Sequence, residues 1–123
     1  MISYDDFAKV EIKAGKILSA EKIPDTDKLL KLMVDFAETT EVVDEQGNKT
    51  VTPKVRQIVS GISAYFPDPA TLVGRTCTFV TNLEPRMIRG FESNGMLFAL
   101  STPEGNFSLL EPNSTIPVGT KAK

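Results

Sequence analysis

VEIKAGKILSAEKI (residues 10–23), PDTD (24–27) and KLLKLMVDF (28–36) form the stretch whose reading decides the fold. Apolar side chains recur at every second position. Val10, Ile12, Ala14, Leu18 and Ala20 share one parity in the first run, and Leu30, Leu32, Val34 and Phe36 lie on one face of the second. A period of two places alternate side chains on opposite faces of a strand, so each run predicts a strand with one face on a core. Lys31, Met33 and Asp35 fall on the other face. Gly15 interrupts the first run, the device by which a small barrel bends a long strand around a corner. Pro24-Asp25-Thr26-Asp27 is a turn by composition.

Outward from this pair, the chain continues in the same manner. Towards the N-terminus, Ser3 to Lys9 predicts one short helix: Ser3 suits the N-cap and Asp6 completes a capping-box pattern. With Phe7 as its one apolar anchor it is too short to stand alone, so it is expected to dock, either as a lid on the barrel end or in a subunit contact. Towards the C-terminus, Thr40–Val43 and Lys49–Thr52 are the arms of a polar hairpin with its tip at Asp44–Asn48. Lys54 to Gly61 is a third strand. Ile62 to Gly74 contains Pro67 and Pro69 and predicts a short helix ended by Gly74. Arg75 to Asn82 is the fourth strand and Met96 to Ser101 the fifth. Gly105 to Leu110 is a candidate edge strand, and the Pro/Ser/Thr/Gly-rich tail from Pro112 is expected to end in extended pairing. The expected fold is all-β, a single domain over residues 1–123. Five strands, a short N-terminal helix and a helix between strands 3 and 4 match the order of a five-stranded OB-fold barrel.

Composition narrows the function. The 123 residues contain no histidine and one cysteine, Cys77. That removes an internal disulfide, zinc-site spacing and histidine-based nucleophile systems. No Gly-rich phosphate loop is present, so the chain is not expected to be an enzyme or to hold a cofactor or a metal. No apolar run reaches the ~20 residues of a membrane span, and the cysteine usage suits a reducing cytoplasm. The formal net charge is −2, which argues against indiscriminate polyanion binding. Any nucleic-acid contact must rest on a local patch. All four arginines, Arg56, Arg75, Arg86 and Arg89, lie in the second half.

The segment with the most chemistry is NLEPRMIRGFESNGMLFAL, residues 82–100. Pro85, Gly90 and Gly95 punctuate a turn that carries two arginines, and Met96 stands at the mouth of the next strand. Ser93 and Asn94 read as exposed. Guanidinium, hydroxyl, amide and thioether groups suit an anionic partner with flat faces. The alternative for Arg86 and Arg89 is ion pairing with Glu84 and Glu92.

The pattern N-L-x-P-R-x-x-R-G-x-x-S-x-G-M-x-x-A resembles the signature of the tRNA-binding domain family. Asp5–Ile12, Asp27–Leu32 and Arg56–Ile62 resemble its other blocks in order, over nearly the whole chain. The family includes the C-terminal appendix of many methionyl-tRNA synthetases, free-standing tRNA-binding proteins, the chaperone CsaA and the endothelial-monocyte-activating polypeptide domain. The resemblance implies a non-catalytic module that binds folded tRNA by shape and backbone, free-standing or serving a methionyl-tRNA synthetase, and a homodimer. Met1 directly before a capped helix favours a free-standing chain. The expected tRNA-binding residues are Lys28, Lys31, Arg56, Ser60, Asn82, Arg86, Arg89, Ser93, Gly95 and Met96. Lys28, Asn82, Arg86, Ser93, Gly95 and Met96 fall on motif positions that the family uses for its groove. The competing expectation is a CsaA-like, peptide-binding export chaperone on the same dimeric scaffold. The hairpin between residues 37 and 53 departs from the resemblance, since most of the family joins these strands more tightly.

Overall fold

The computed structural model describes residues 1–123. In chain order it comprises helix α1 (Tyr4–Ala8) and nine strands: β1 (Ile12–Lys22), β2 (Leu30–Val43), β3 (Lys49–Ser60), β4 (Thr76–Val80), β5 (Arg86–Ile88), β6 (Phe91–Ser93), β7 (Met96–Leu97), β8 (Ala99–Ser101) and β9 (Phe107–Leu109). Five of them form one antiparallel sheet in the order β3-β2-β1-β4-β7. The sheet curls. Its β3 edge meets the segment leading into β7, where the Asn94 N–H donates to the Gln57 carbonyl at 2.8 Å. The result is an all-β, OB-like architecture.

The alternation in residues 10–36 becomes β1 and β2, with one phase change. Ile17 faces Val34 and Ser19 faces Met33, so Leu18 is the extra residue of a bulge. A bulge inserts one residue and thereby shifts the parity of the strand. Ile17 is fully buried, whereas Leu18, which simple alternation assigns to the core, is 42% exposed. Val10 likewise lies outside the core. On β2 the reading holds: Leu30, Leu32, Val34 and Phe36 are all buried. They join Ile17, Ile58, Leu72, Cys77 and Phe79 in a single core, where Phe36 and Phe79 meet edge-to-face at 5.2 Å between centroids. Each fully buried large aliphatic side chain contributes about 1.5–3 kcal/mol.

Gly15 shows why β1 can bend over this core. A Cβ added there would sit 2.5 Å from Phe36 Cε1 and 2.7 Å from Val34 Cγ1. Both neighbours are themselves buried, so neither can step aside cheaply. Gly15→Ala is therefore expected to destabilise the fold by about 2–3 kcal/mol, read as a lowered urea midpoint with an unchanged m-value. A midpoint equal to that of the parent protein would show that Phe36 and Val34 yield to the added methyl.

The C-terminal tail completes the barrel. The first half of β1 pairs with β4 on one edge and the second half with β2. Where β2 leaves, the tail takes its place: Ala14 N–H donates to Thr120 O at 2.9 Å, Gly119 N–H to Ala14 O at 2.8 Å and Ala122 N–H to Ile12 O at 2.8 Å. The expected extended pairing of the tail is thus present, on β1.

Two expectations are corrected here. The segment between β3 and β4 holds no α-helix. It forms two 3-10 turns, Ser63–Tyr65 and Pro69–Leu72. Pro67 and Pro69 divide it into pieces too short to nucleate a helix, and Asp68 Oδ1 accepts from Ala70 N–H at 3.1 Å to start the second turn. What the segment supplies is Leu72, fully buried under the core. At the other end, α1 has the predicted capping box, with Ser3 and Asp6 bonding reciprocally. It is not a lid. None of its residues is buried, and Tyr4 and Phe7 are exposed.

The polar hairpin and strands 2 and 3 are one continuous ribbon. β2 and β3 stay in register out to Val43 opposite Lys49, past an irregularity between Asp35 and Glu38. Asp35 Oδ1 accepts from Ala37 N–H at 2.8 Å at that irregularity. Beyond it both strands are almost wholly exposed.

Candidate nucleic-acid interface

Residues 82–100 hold a hairpin that alternation does not reveal. β5 and β6 pair Arg86 with Ser93 and Ile88 with Phe91. Their two-residue turn is Arg89-Gly90, with φ of 51° and 84°. Two positive φ values mark the turn type that matches strand twist, usually filled by Asn-Gly or Asp-Gly. Arginine in the left-handed region costs roughly 1–2 kcal/mol, and such outliers gather at functional sites. An Arg-Gly pair is not a turn signal, so the hairpin was illegible in the sequence.

The hairpin is fastened to β3. Gln57 Nε2 donates to the Glu92 carbonyl at 3.0 Å, and Ser93 Oγ accepts from Val59 N–H at 3.0 Å while donating to Gly95 O at 3.1 Å. Ser93 is 4% exposed, so the exposed-looking Ser93 of the sequence is in fact a buried tie. Gly95 follows with φ of 145°, and a Cβ there would lie 3.0 Å from Val80 O. Only glycine fits between hairpin and barrel at that point.

The four arginines divide into two kinds. Arg75 pairs with Glu111, its Nε 3.2 Å from Oε2. Arg56 is bound on every side. Its Nε and Nη2 donate to the two Glu38 oxygens at 2.7 Å each, and its Nη1 donates to Thr81 O at 2.6 Å and Asn94 O at 3.3 Å. The hydrogen bond from Arg56 holds the Glu38 carboxyl below the usual carboxylate range. Arg56 thus ties β2, β3, the end of β4 and the entry to β7 together. Arg86 and Arg89 are exposed and belong to none of the five ion pairs, which join Lys13–Glu11, Lys31–Glu21, Lys49–Glu41, Arg56–Glu38 and Arg75–Glu111. Pairing with Glu84 or Glu92 is absent.

The free arginines border two depressions. One, of about 490 Å³, is lined by Val59, Leu83, Glu84, Arg86, Ile88, Ser93, Gly95 and Met96. It brings Arg86, Ser93, Gly95 and Met96 of the sequence reading together and adds an apolar floor of Val59, Leu83 and Ile88 that the reading missed. The other, of about 410 Å³, is lined by Asp25, Thr26, Asp27, Lys28, Leu29 and Arg89, so Lys28 and Arg89 share a wall. Lys28 is exposed and unpaired. Lys31 lies half-buried 3.5 Å from Glu21 and 5.4 Å from the centre of the Phe91 ring, supporting the hairpin from beneath. Ser60 ends β3 opposite Leu30. Asn82 is apart from both depressions. Its Oδ1 accepts from Glu11 N–H at 2.7 Å and its Nδ2 donates to Lys9 O, which anchors the N-terminal segment.

An OB-like barrel with an open groove, an apolar floor and unpaired guanidinium groups at the rim is a binding module. The chain belongs to the tRNA-binding domain family, whose description as a tRNA binding domain it matches over residues 12–121. It is similar to the methionine–tRNA ligase of Methanospirillum hungatei, 47% identical over 99% of this chain, and to that of Methanoregula boonei, 46% identical over all of it. In each case the chain spans about 16% of the relative's length. Among solved structures it is similar to a MetRS related protein from Pyrococcus horikoshii, with a TM-score of 0.80, 35% identity and coverage of 100% of this chain and 98% of that one. The chaperone CsaA from Bacillus anthracis follows at a TM-score of 0.75, 26% identity and coverage of 100% and 99%.

Proposed function

We propose that the chain is a tRNA-binding module that holds folded tRNA through its backbone, with Arg86 and Arg89 as the principal phosphate contacts. The observation that carries this is their release from every internal ion pair on an acidic protein whose other two arginines are both engaged. Lys28 stands beside Arg89 as a second unpaired cation, in a depression that Asp25 and Asp27 also line. Met96, 45% exposed, offers a thioether face to a sugar or base. Ser93 and Gly95 shape the groove, Arg56 ties the strands beside it, Lys31 supports the hairpin, and Asn82 holds the N-terminal segment away from the groove. The relatives' identity supports service to a methionine–tRNA ligase, in which the module adds tRNA affinity to catalysis performed elsewhere. Exposed Met1, Ile2, Tyr4, Phe7 and Val10 around an uncovered α1 support a homodimer.

The test is a fluorescence-anisotropy titration with bulk tRNA at low and physiological salt, with single-stranded RNA and a random duplex as competitors. Salt-sensitive binding displaced by tRNA alone is expected, because phosphate contacts release counterions. No binding at low salt would sink the reading. One observation favours a second one: the floor of the larger groove is apolar, and CsaA has the same fold. Suppression of client aggregation, undiminished by excess tRNA, would favour short apolar peptides as the occupant.

A further inference from the structure

A third depression adjoins the larger groove on the ribbon side. It measures about 280 Å³ and is lined by Lys54, Val55, Arg56, Leu83, Pro85 and Asn94. Leu83 lines this depression and the Arg86 groove alike, so the two are neighbours across one side chain. We propose that it is a second nucleotide subsite, which takes one unpaired nucleotide of the same RNA whose backbone crosses Arg86. The inference rests on the tRNA-binding reading above.

The chemistry of the walls supports a base and its phosphate. The Asn94 backbone is committed, its N–H to Gln57 O and its carbonyl to Arg56. Its side-chain amide enters no hydrogen bond within the protein and is half-buried. An amide offers donor and acceptor side by side, the pattern needed along the edge of a base that is not paired. Val55, Leu83 and Pro85 supply apolar walls for its faces. Lys54 is exposed at the rim and belongs to no ion pair, so its ammonium is free for the flanking phosphate. Arg56, neutralised by Glu38, is wall and not phosphate ligand. The volume of about 280 Å³ lies just below the roughly 300–1,000 Å³ of small-molecule sites, which suits one base and not a stacked pair. No aromatic side chain lines the depression, so selectivity would come from the edge of the base and not from stacking.

The experiment is NMR of the isotope-labelled protein titrated with AMP and, separately, CMP, followed by tRNA titrations of Asn94→Ala, Lys54→Ala and R86E/R89E. The mononucleotides are expected to shift the Asn94 side-chain amide and the Leu83 and Val55 methyl signals. Asn94→Ala is expected to erase the Leu83 and Val55 methyl shifts and weaken tRNA binding about fivefold with an unchanged salt slope, because a neutral amide displaces no counterion. Lys54→Ala is expected to lower the slope by about one contact's worth. Shifts confined to the Arg86–Met96 groove, or parental tRNA affinity in Asn94→Ala, would overturn the subsite. If R86E/R89E still abolished binding, the groove reading would stand. Failure of the parent protein to bind tRNA at low salt would overturn both.

Discussion

R86E/R89E is expected to lower tRNA affinity on the order of 100-fold at physiological salt. A charge-assisted contact contributes about 1.5 kcal/mol or more, so two lost contacts amount to roughly 3 kcal/mol. The loss should fall on different tRNAs alike, because phosphate contacts position and do not specify. It should also reduce the slope of log affinity against log salt by about two contacts' worth. Stability should not suffer, since neither side chain pairs with another group. Losing the left-handed arginine at position 89 does not relieve strain, because glutamate there is strained too. Lys49→Glu is the control. It makes half that change of net charge, at the exposed hairpin end where Lys49 pairs with Glu41, and should leave affinity within about twofold. Undiminished binding by R86E/R89E would displace the site from this hairpin. An equal loss in the control would show that bulk charge, and not a groove, governs binding.

Arg56→Ala is expected to act first on the fold. It removes four hydrogen bonds and leaves the Glu38 carboxylate, whose side chain is 21% exposed, without its partner. Truncating one member of such a pair strands the other, here at about 2–3 kcal/mol. For a domain of this size that is a fall in Tm of roughly 10 °C. In a double-mutant cycle with Glu38→Ala, the two losses should be far from additive, because both remove one interaction. The pH dependence has a definite sign. The folded-state pKa of Glu38 is depressed, chiefly by the Arg56 hydrogen bond. Its stabilisation is therefore present above the unfolded carboxylate value of about 4.3 and is lost as pH falls through the lower folded value. Glu38→Gln should accordingly lie well below the parent protein in stability at pH 7 and converge on it in acid. If Arg56→Ala kept the parental Tm yet lost tRNA, Arg56 would be a ligand-binding residue, as its basic side chain alone suggests, and not a tie between strands.

That contrast shows what a residue type can convey by itself. Arg56 and Arg86 look alike in a sequence. Both stand in β-rich surroundings with acids nearby. Glu38 lies eighteen positions from Arg56 and reaches it only because β2 and β3 pair past an irregularity at Asp35. Glu84 and Glu92 lie closer in sequence to Arg86 and Arg89, and neither makes an ion pair. Ser93 is similar: a small polar residue before glycine reads as exposed, and its burial is set by Val59, thirty-four positions away.

The sequence by itself determined the all-β class, the strands β1 to β4, the capping box of α1, and the ordered blocks that tie the chain to its family. These are carried by local periodicity, local capping chemistry and fixed short motifs, each complete within a few residues. Only the tertiary structure decided the bulge that buries Ile17 and exposes Leu18, the collapse of the expected helix into two 3-10 turns, the β5–β6 hairpin, the place of the tail on β1, and which arginines remain free. Each of these depends on pairing between distant segments. The energy of a buried side chain or a satisfied guanidinium belongs to the partner it meets, and no window of neighbouring residues contains that partner.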